Sequence, residues 1–77
     1  SVKNIPVPND IVFIADVGLT GELKRVPSLE ARIRELDRMG FKKVYVAQNS
    51  GLDIKTSSLK IIQKGTLKEV IDTVFKS

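Results

Sequence analysis

The feature that most constrains this chain is the stretch Ile11-Val-Phe-Ile-Ala-Asp-Val-Gly-Leu-Thr-Gly-Glu-Leu-Lys-Arg-Val26. It opens as an unbroken apolar run, meets Gly18 and Gly21, passes through a short alternating segment and stops at Pro27. An apolar run of this kind reads as a strand buried on both faces, which requires protein packed on each side of a sheet. Ile11 to Val17 is therefore expected to be the central strand. Gly18 and Gly21 bracket a tight turn, where glycine takes positive φ without a Cβ penalty. Glu22 to Val26 then returns antiparallel.

The remaining pattern supplies the layers. Pro6 and Pro8 make residues 1–10 an extended lead-in, since each proline pushes its predecessor away from helix. Ser28 stands at an N-cap position, and Leu29, Ile33, Leu36 and Met39 recur at helical spacing up to Gly40, a left-handed C-terminal cap. Phe41 to Ala47 reads as the next strand. Gln48 to Ser58 is polar and turn-rich and reads as a mobile surface loop. Leu59 to Gln63 is a short third strand. Thr66-Leu-Lys-Glu69 is a capping box that opens a second helix, with Leu67, Val70, Ile71, Val74 and Phe75 as its apolar stripe. Strands alternating with amphipathic helices argue an α/β fold, a mixed sheet with two amphipathic helices in one domain. Two helices and a few strands are expected to cover one face of that sheet. A second copy or a further segment would then have to cover the other, so the chain is expected to self-associate.

Several function classes are excluded. The 77 residues contain no cysteine and no histidine, which removes disulfides, Cys/His metal centres, cysteine nucleophiles and Ser-His-Asp triads. There is no apolar run of the ~20 residues that span a bilayer and no signal-peptide pattern, which is compatible with a cytoplasmic location and no membrane partner. The chain opens on Ser1, which reads as a processed or excised piece of a longer protein. Its net charge of +4 favours acidic partners only weakly.

Asp16 and Glu22 flank the glycine turn and could pose as paired carboxylates. The plainer reading has them bonding turn N–H groups or pairing with Lys24 or Arg25. Lys24, Arg25, Arg32, Arg34, Arg38, Lys42 and Lys43 concentrate positive charge over the hairpin and first helix, where they could neutralise phosphates. Glu30, Glu35 and Asp37 are interleaved with them, as on any solvated helix face. Lys60, Lys64, Lys68 and Lys76 read as solubilising, and Tyr45 as a core residue.

Asp16-Val-Gly-Leu-Thr-Gly-Glu-Leu-Lys-Arg-Val26, then Ile33, then Met39-Gly-Phe-Lys-Lys-Val-Tyr-Val46 resemble the carboxy-terminal part of the RadA (Sms) family of bacterial DNA repair proteins. The closing Thr66-Leu-Lys-Glu-Val-Ile71 helix agrees in position, and the likeness weakens through Gln48–Ser58. The resemblance implies the second half of a Lon-protease-like domain, related to the second domain of ribosomal protein S5. It implies a parent with an amino-terminal zinc motif and a RecA-like motor using ATP and magnesium, none of whose cofactor sites falls in this chain. It further implies a homo-oligomeric ring and contact with DNA during recombination and branch migration. The DNA-contacting candidates it favours are Lys24, Arg25, Arg32, Arg34, Lys42 and Lys43.

Lon proteases use a serine with a lysine whose pKa is lowered by burial. By the resemblance, the lysine position falls on Glu30 and the serine position lies upstream of Ser1. A non-catalytic domain is therefore expected, the alternative being the second half of a Ser-Lys peptidase.

Overall fold

The computed structural model describes residues 10–48, 50–52 and 54–75. The elements run β1 (Ile11–Ile14), β2 (Asp16–Val17), β3 (Leu23–Lys24), α1 (Leu29–Arg38), β4 (Lys43–Ala47), β5 (Lys60–Lys64) and α2 (Leu67–Phe75). The extended lead-in expected over 1–10 lies, apart from Asp10, outside the described residues.

β1, β4 and β5 form a parallel sheet in the order β1-β4-β5, while β2 and β3 pair antiparallel as a separate ribbon. The central strand is therefore β4, not the Ile11–Val17 run. That run breaks at Ala15, where the chain leaves the sheet for the ribbon. Its apolar residues are half-buried to exposed because β1 is an edge strand. In β4, by contrast, Val44, Tyr45, Val46 and Ala47 are all buried. Alternation along β4 sends Val44 and Val46 to one face and Tyr45 and Ala47 to the other.

Each face has its own cover, which corrects the expectation that both helices share one. Val44 and Val46 cluster with Leu29 and Ile33 of α1 and with Leu59. Tyr45 and Ala47 cluster with Leu23 and with Val70 of α2. A parallel strand buried on both faces is thus satisfied within the chain. The cover on the α2 side is partial, however. Phe13 on β1 and Ile71 and Phe75 on α2 remain 38%, 46% and 44% exposed. A three-stranded sheet gives α2 a floor just wide enough to bury Val70 and half-bury Leu67 and Val74.

The helix ends show which local signals held. Past α1, Gly40 has φ +87°, its N–H donates to Asp37 O at 3.2 Å, and the Phe41 N–H donates to Leu36 O at 3.2 Å. This is a Schellman cap, and Leu36 and Phe41 both pack against the α1-side core. Ser28 does occupy the N-cap of α1, but in the left-handed region and with no side-chain capping bond. At α2 the Thr66 hydroxyl accepts the Glu69 N–H at 3.2 Å, while the Glu69 carboxylate takes the Thr66 hydroxyl rather than a backbone N–H. The ribbon completes that cap, since the Leu67 N–H donates to Gly21 O at 2.9 Å and the Leu23 N–H to Gly65 O at 2.9 Å. The hairpin thereby satisfies an orphan donor of the last helix.

The described residues between β4 and β5 are held against the fold, where their polarity suggests a mobile surface loop. Leu52 and Ile54 pack on the α1-side core, and Ser50 is buried with its hydroxyl donating to Ala47 O. The Asp37 carboxylate accepts the N–H groups of Ser57, Ser58 and Leu59 at 2.8, 3.1 and 3.1 Å, pinning the segment to the end of α1. Those N–H groups, Ser57 above all and then Ser58, hold the Asp37 carboxyl below the usual carboxylate range.

Candidate nucleic-acid interface

The hairpin turn is built around one carboxylate. Glu22 Oε1 accepts the Thr20 N–H at 3.2 Å and the Thr20 hydroxyl at 3.0 Å. The backbone N–H of Glu22 itself, then the Thr20 hydroxyl, keep its carboxyl below the ordinary value. The same carboxylate lies against Gly18, where a Cβ would stand 2.0 Å from Oε1. Gly18 is therefore required by close approach and Gly21, at φ +87°, by backbone conformation. Asp16 sits opposite Lys24 in the ribbon register. Glu22 is thus a turn clasp, as the plainer reading of the two carboxylates expects, and the turn it builds leaves Leu19 fully exposed at the tip.

The six cationic candidates divide by position and by engagement. Arg25 reaches across the core edge and donates from Nη1 to Ser50 O at 2.7 Å, so it fastens the β4–β5 segment to the ribbon. Arg34 lies 3.9 Å from Glu30 on the outer face of α1. Arg32 is exposed on the same helix, but side chains two positions apart point away from one another. Lys24 is exposed on β3, beyond the C-terminal end of β1. Lys42 and Lys43 lie at the opposite end of the sheet, where both N–H groups donate to Asp10 O at 2.9 and 3.1 Å. Lys42 Nζ also lies 3.7 Å from Asp10 Oδ2. The structure brings Lys42 and Lys43 together and leaves the other four apart from them.

Sequence reasoning passed over a further cation at that end. Lys60 is the register partner of Lys43 on β5, and its N–H donates to Lys42 O at 2.8 Å. Strand pairing created this grouping, so nothing in the local spacing of Lys60 marks it. Glu30 is exposed on α1 beside Arg34, and the buried Ser50 hydroxyl is committed to a carbonyl. Among the described residues no group of His, Cys, Asp and Glu could hold a metal ion, and no helix is long and apolar enough to cross a membrane.

No protein-family model matches the chain. It is similar to the DNA repair protein RadA of Streptococcus pneumoniae, 38% identical over 97% of this chain and 18% of that protein. It is likewise 32% identical to RadA of Pseudomonas aeruginosa, over 99% of this chain and 17% of that protein. RadA of Aquifex aeolicus is 33% identical over 97% of this chain and 16% of that protein. The chain thus spans less than a fifth of the length of these relatives, and over that span it is a RadA-type sequence from end to end.

Proposed function

We propose that this chain is a non-catalytic, Lon-like part of a RadA-type DNA repair ATPase, where it contributes to ring assembly and to contact with DNA. The observation that carries the reading is the match to proteins named for DNA repair over nearly the whole chain. The Lon-like assignment rests on the Gly18-Leu-Thr-Gly-Glu22 motif, and the ring and DNA roles on the family resemblance.

The geometry supports the non-catalytic reading over a Ser-Lys peptidase half. A dyad lysine needs burial to lower its pKa and needs contact with a nucleophile. Glu30, at the corresponding position, is a carboxylate whose side chain is 48% exposed and turned to Arg34. The DNA reading is supported by exposed Lys24, Arg32 and Lys43 and by Lys42, whose pairing with Asp10 is at the surface, while Arg25 is bonded within the fold and Arg34 lies beside Glu30.

Fluorescence anisotropy of the intact RadA-type protein on labelled duplex and single-stranded DNA, across a salt series, tests the reading. Replacing Lys24, Arg32, Lys42 and Lys43 together by alanine is expected to weaken binding to every sequence alike. It should also flatten the slope of log K against log salt by up to about 3–4, since each phosphate that a side chain neutralises accounts for about 0.9. Unchanged binding by that variant would sink the DNA role of this chain.

A further inference from the structure

The starts of β4 and β5 and the end of α2 enclose a cleft of about 600 Å³, lined by Asp10, Lys42, Lys43, Tyr45, Lys60 and Thr73 among others. Its volume lies within the ~300–1,000 Å³ of ligand-sized clefts. Lys43 and Lys60 are paired in register on adjacent parallel strands, so their backbones are about 4.8 Å apart. They precede Tyr45 and Ile62 by two residues each, which puts both lysines on the α2 face with those two side chains.

Two like charges side by side on one sheet face repel, and an anion bound between them would relieve that repulsion. Among the described residues no carboxylate makes an ion pair with Lys43 or Lys60. The one acid lining the cleft, Asp10, is taken by Lys42. On α1, Glu30 pairs with Arg34 and Glu35 with Arg38, Asp37 accepts three N–H groups, and Arg32 makes no ion pair among the described residues. Among the described residues, unpaired cations therefore stand singly at Lys24 and Arg32, whereas at the cleft two of them, Lys43 and Lys60, share one register position.

We propose that this cleft receives a backbone phosphate of DNA, held by Lys43 and Lys60 with Lys42 at its rim. The inference rests on the DNA reading above and locates the contact, adding Lys60, which the sequence pattern assigns to solubility. Lysines act here as point charges on flexible stems, so the contact is independent of base sequence and sensitive to salt.

The test is anisotropy of the intact protein on a labelled duplex between about 50 and 200 mM KCl, with two unrelated sequences. Lys43→Ala and Lys60→Ala are each expected to reduce the slope of log K against log salt by about 0.9, on both sequences alike. Lys60→Arg should retain the wild-type slope, which separates removal of the charge from a disturbed strand. Arg38→Ala, on the outer face of α1, should leave it unchanged. Wild-type slopes in both Lys43→Ala and Lys60→Ala would overturn the cleft assignment while leaving the DNA reading intact. Failure of the wild-type protein to bind either duplex would overturn the DNA reading itself.

Discussion

Ile33→Ala tests the two-faced core most sharply. Ile33 is fully buried at the centre of α1, in one cluster with Leu29, Val44, Val46 and Leu59. Truncation removes three carbons, worth about 0.8 kcal/mol each in transfer, or about 2.4 kcal/mol together. The rigid strand beneath cannot collapse to fill the space, so a cavity contribution adds to this, and about 3–4 kcal/mol is expected within the ~2–5 kcal/mol range of such changes. A domain of 77 residues has a total stability of about 4–12 kcal/mol, so the variant loses a quarter of it or more. Met39→Ala is the control: Met39 continues the apolar spacing of α1 but is 62% exposed, and its truncation should cost no more than ~0.5 kcal/mol. Equilibrium urea denaturation of the two variants and the wild type, followed by far-UV circular dichroism, gives the comparison. Equal losses for Ile33→Ala and Met39→Ala would refute the packing of α1 against Val44 and Val46.

Three further outcomes follow from the same geometry. Gly18→Ala should displace the Glu22 carboxylate, because the new Cβ would stand 2.0 Å from Oε1; an unperturbed Thr20 amide signal in NMR would contradict this. Asp37 and Glu22 both titrate below the ordinary carboxylate range, so the unfolded chain takes up their protons more readily than the folded one. Their contribution is present above the unfolded value near ~4 and is lost as pH falls through the depressed folded values. Asp37→Asn should therefore flatten the acid-side fall in the urea midpoint, and an unaltered pH profile would argue against the pinning of Ser57–Leu59. Phe13, Ile71 and Phe75 leave apolar surface on the α2 side, so the isolated chain should self-associate as concentration rises, and Ile71→Lys should reduce this. A monodisperse monomer at high concentration by light scattering counts against that expectation.

Local chemistry was legible in the sequence and spatial order was not. The stripe of α2, the Thr66 cap and the Gly40 terminus are short-range signals, because each depends on residues within a turn or two. Apolar content also marked β1, β4 and β5, but it could not say which was central. The Ile11–Ile14 run is as hydrophobic as Val44–Ala47, and only the pairing order makes one an edge and the other a core. Ser28 shows that an N-cap residue type in the right place need not cap, since a left-handed backbone takes its hydroxyl out of use. The segment after Ala47 reads as a loop because its composition is polar. Its order comes from Asp37 and Arg25, which lie far from it in sequence. The site follows the same rule. Lys42 and Lys43 are adjacent in the chain and visible as a basic pair, whereas Lys60 joins them only through the β4–β5 register.

The central claim is that this chain meets DNA through its cationic side chains, and lysine footprinting of the intact protein tests it most directly. Brief acetylation with and without saturating duplex, read out by mass spectrometry, reports each lysine separately. Lys42, Lys43 and Lys60 are expected to lose reactivity when DNA is bound, while Lys68, exposed on α2 and paired with Asp72, keeps its own. Equal acetylation of all four with and without DNA would contradict the account.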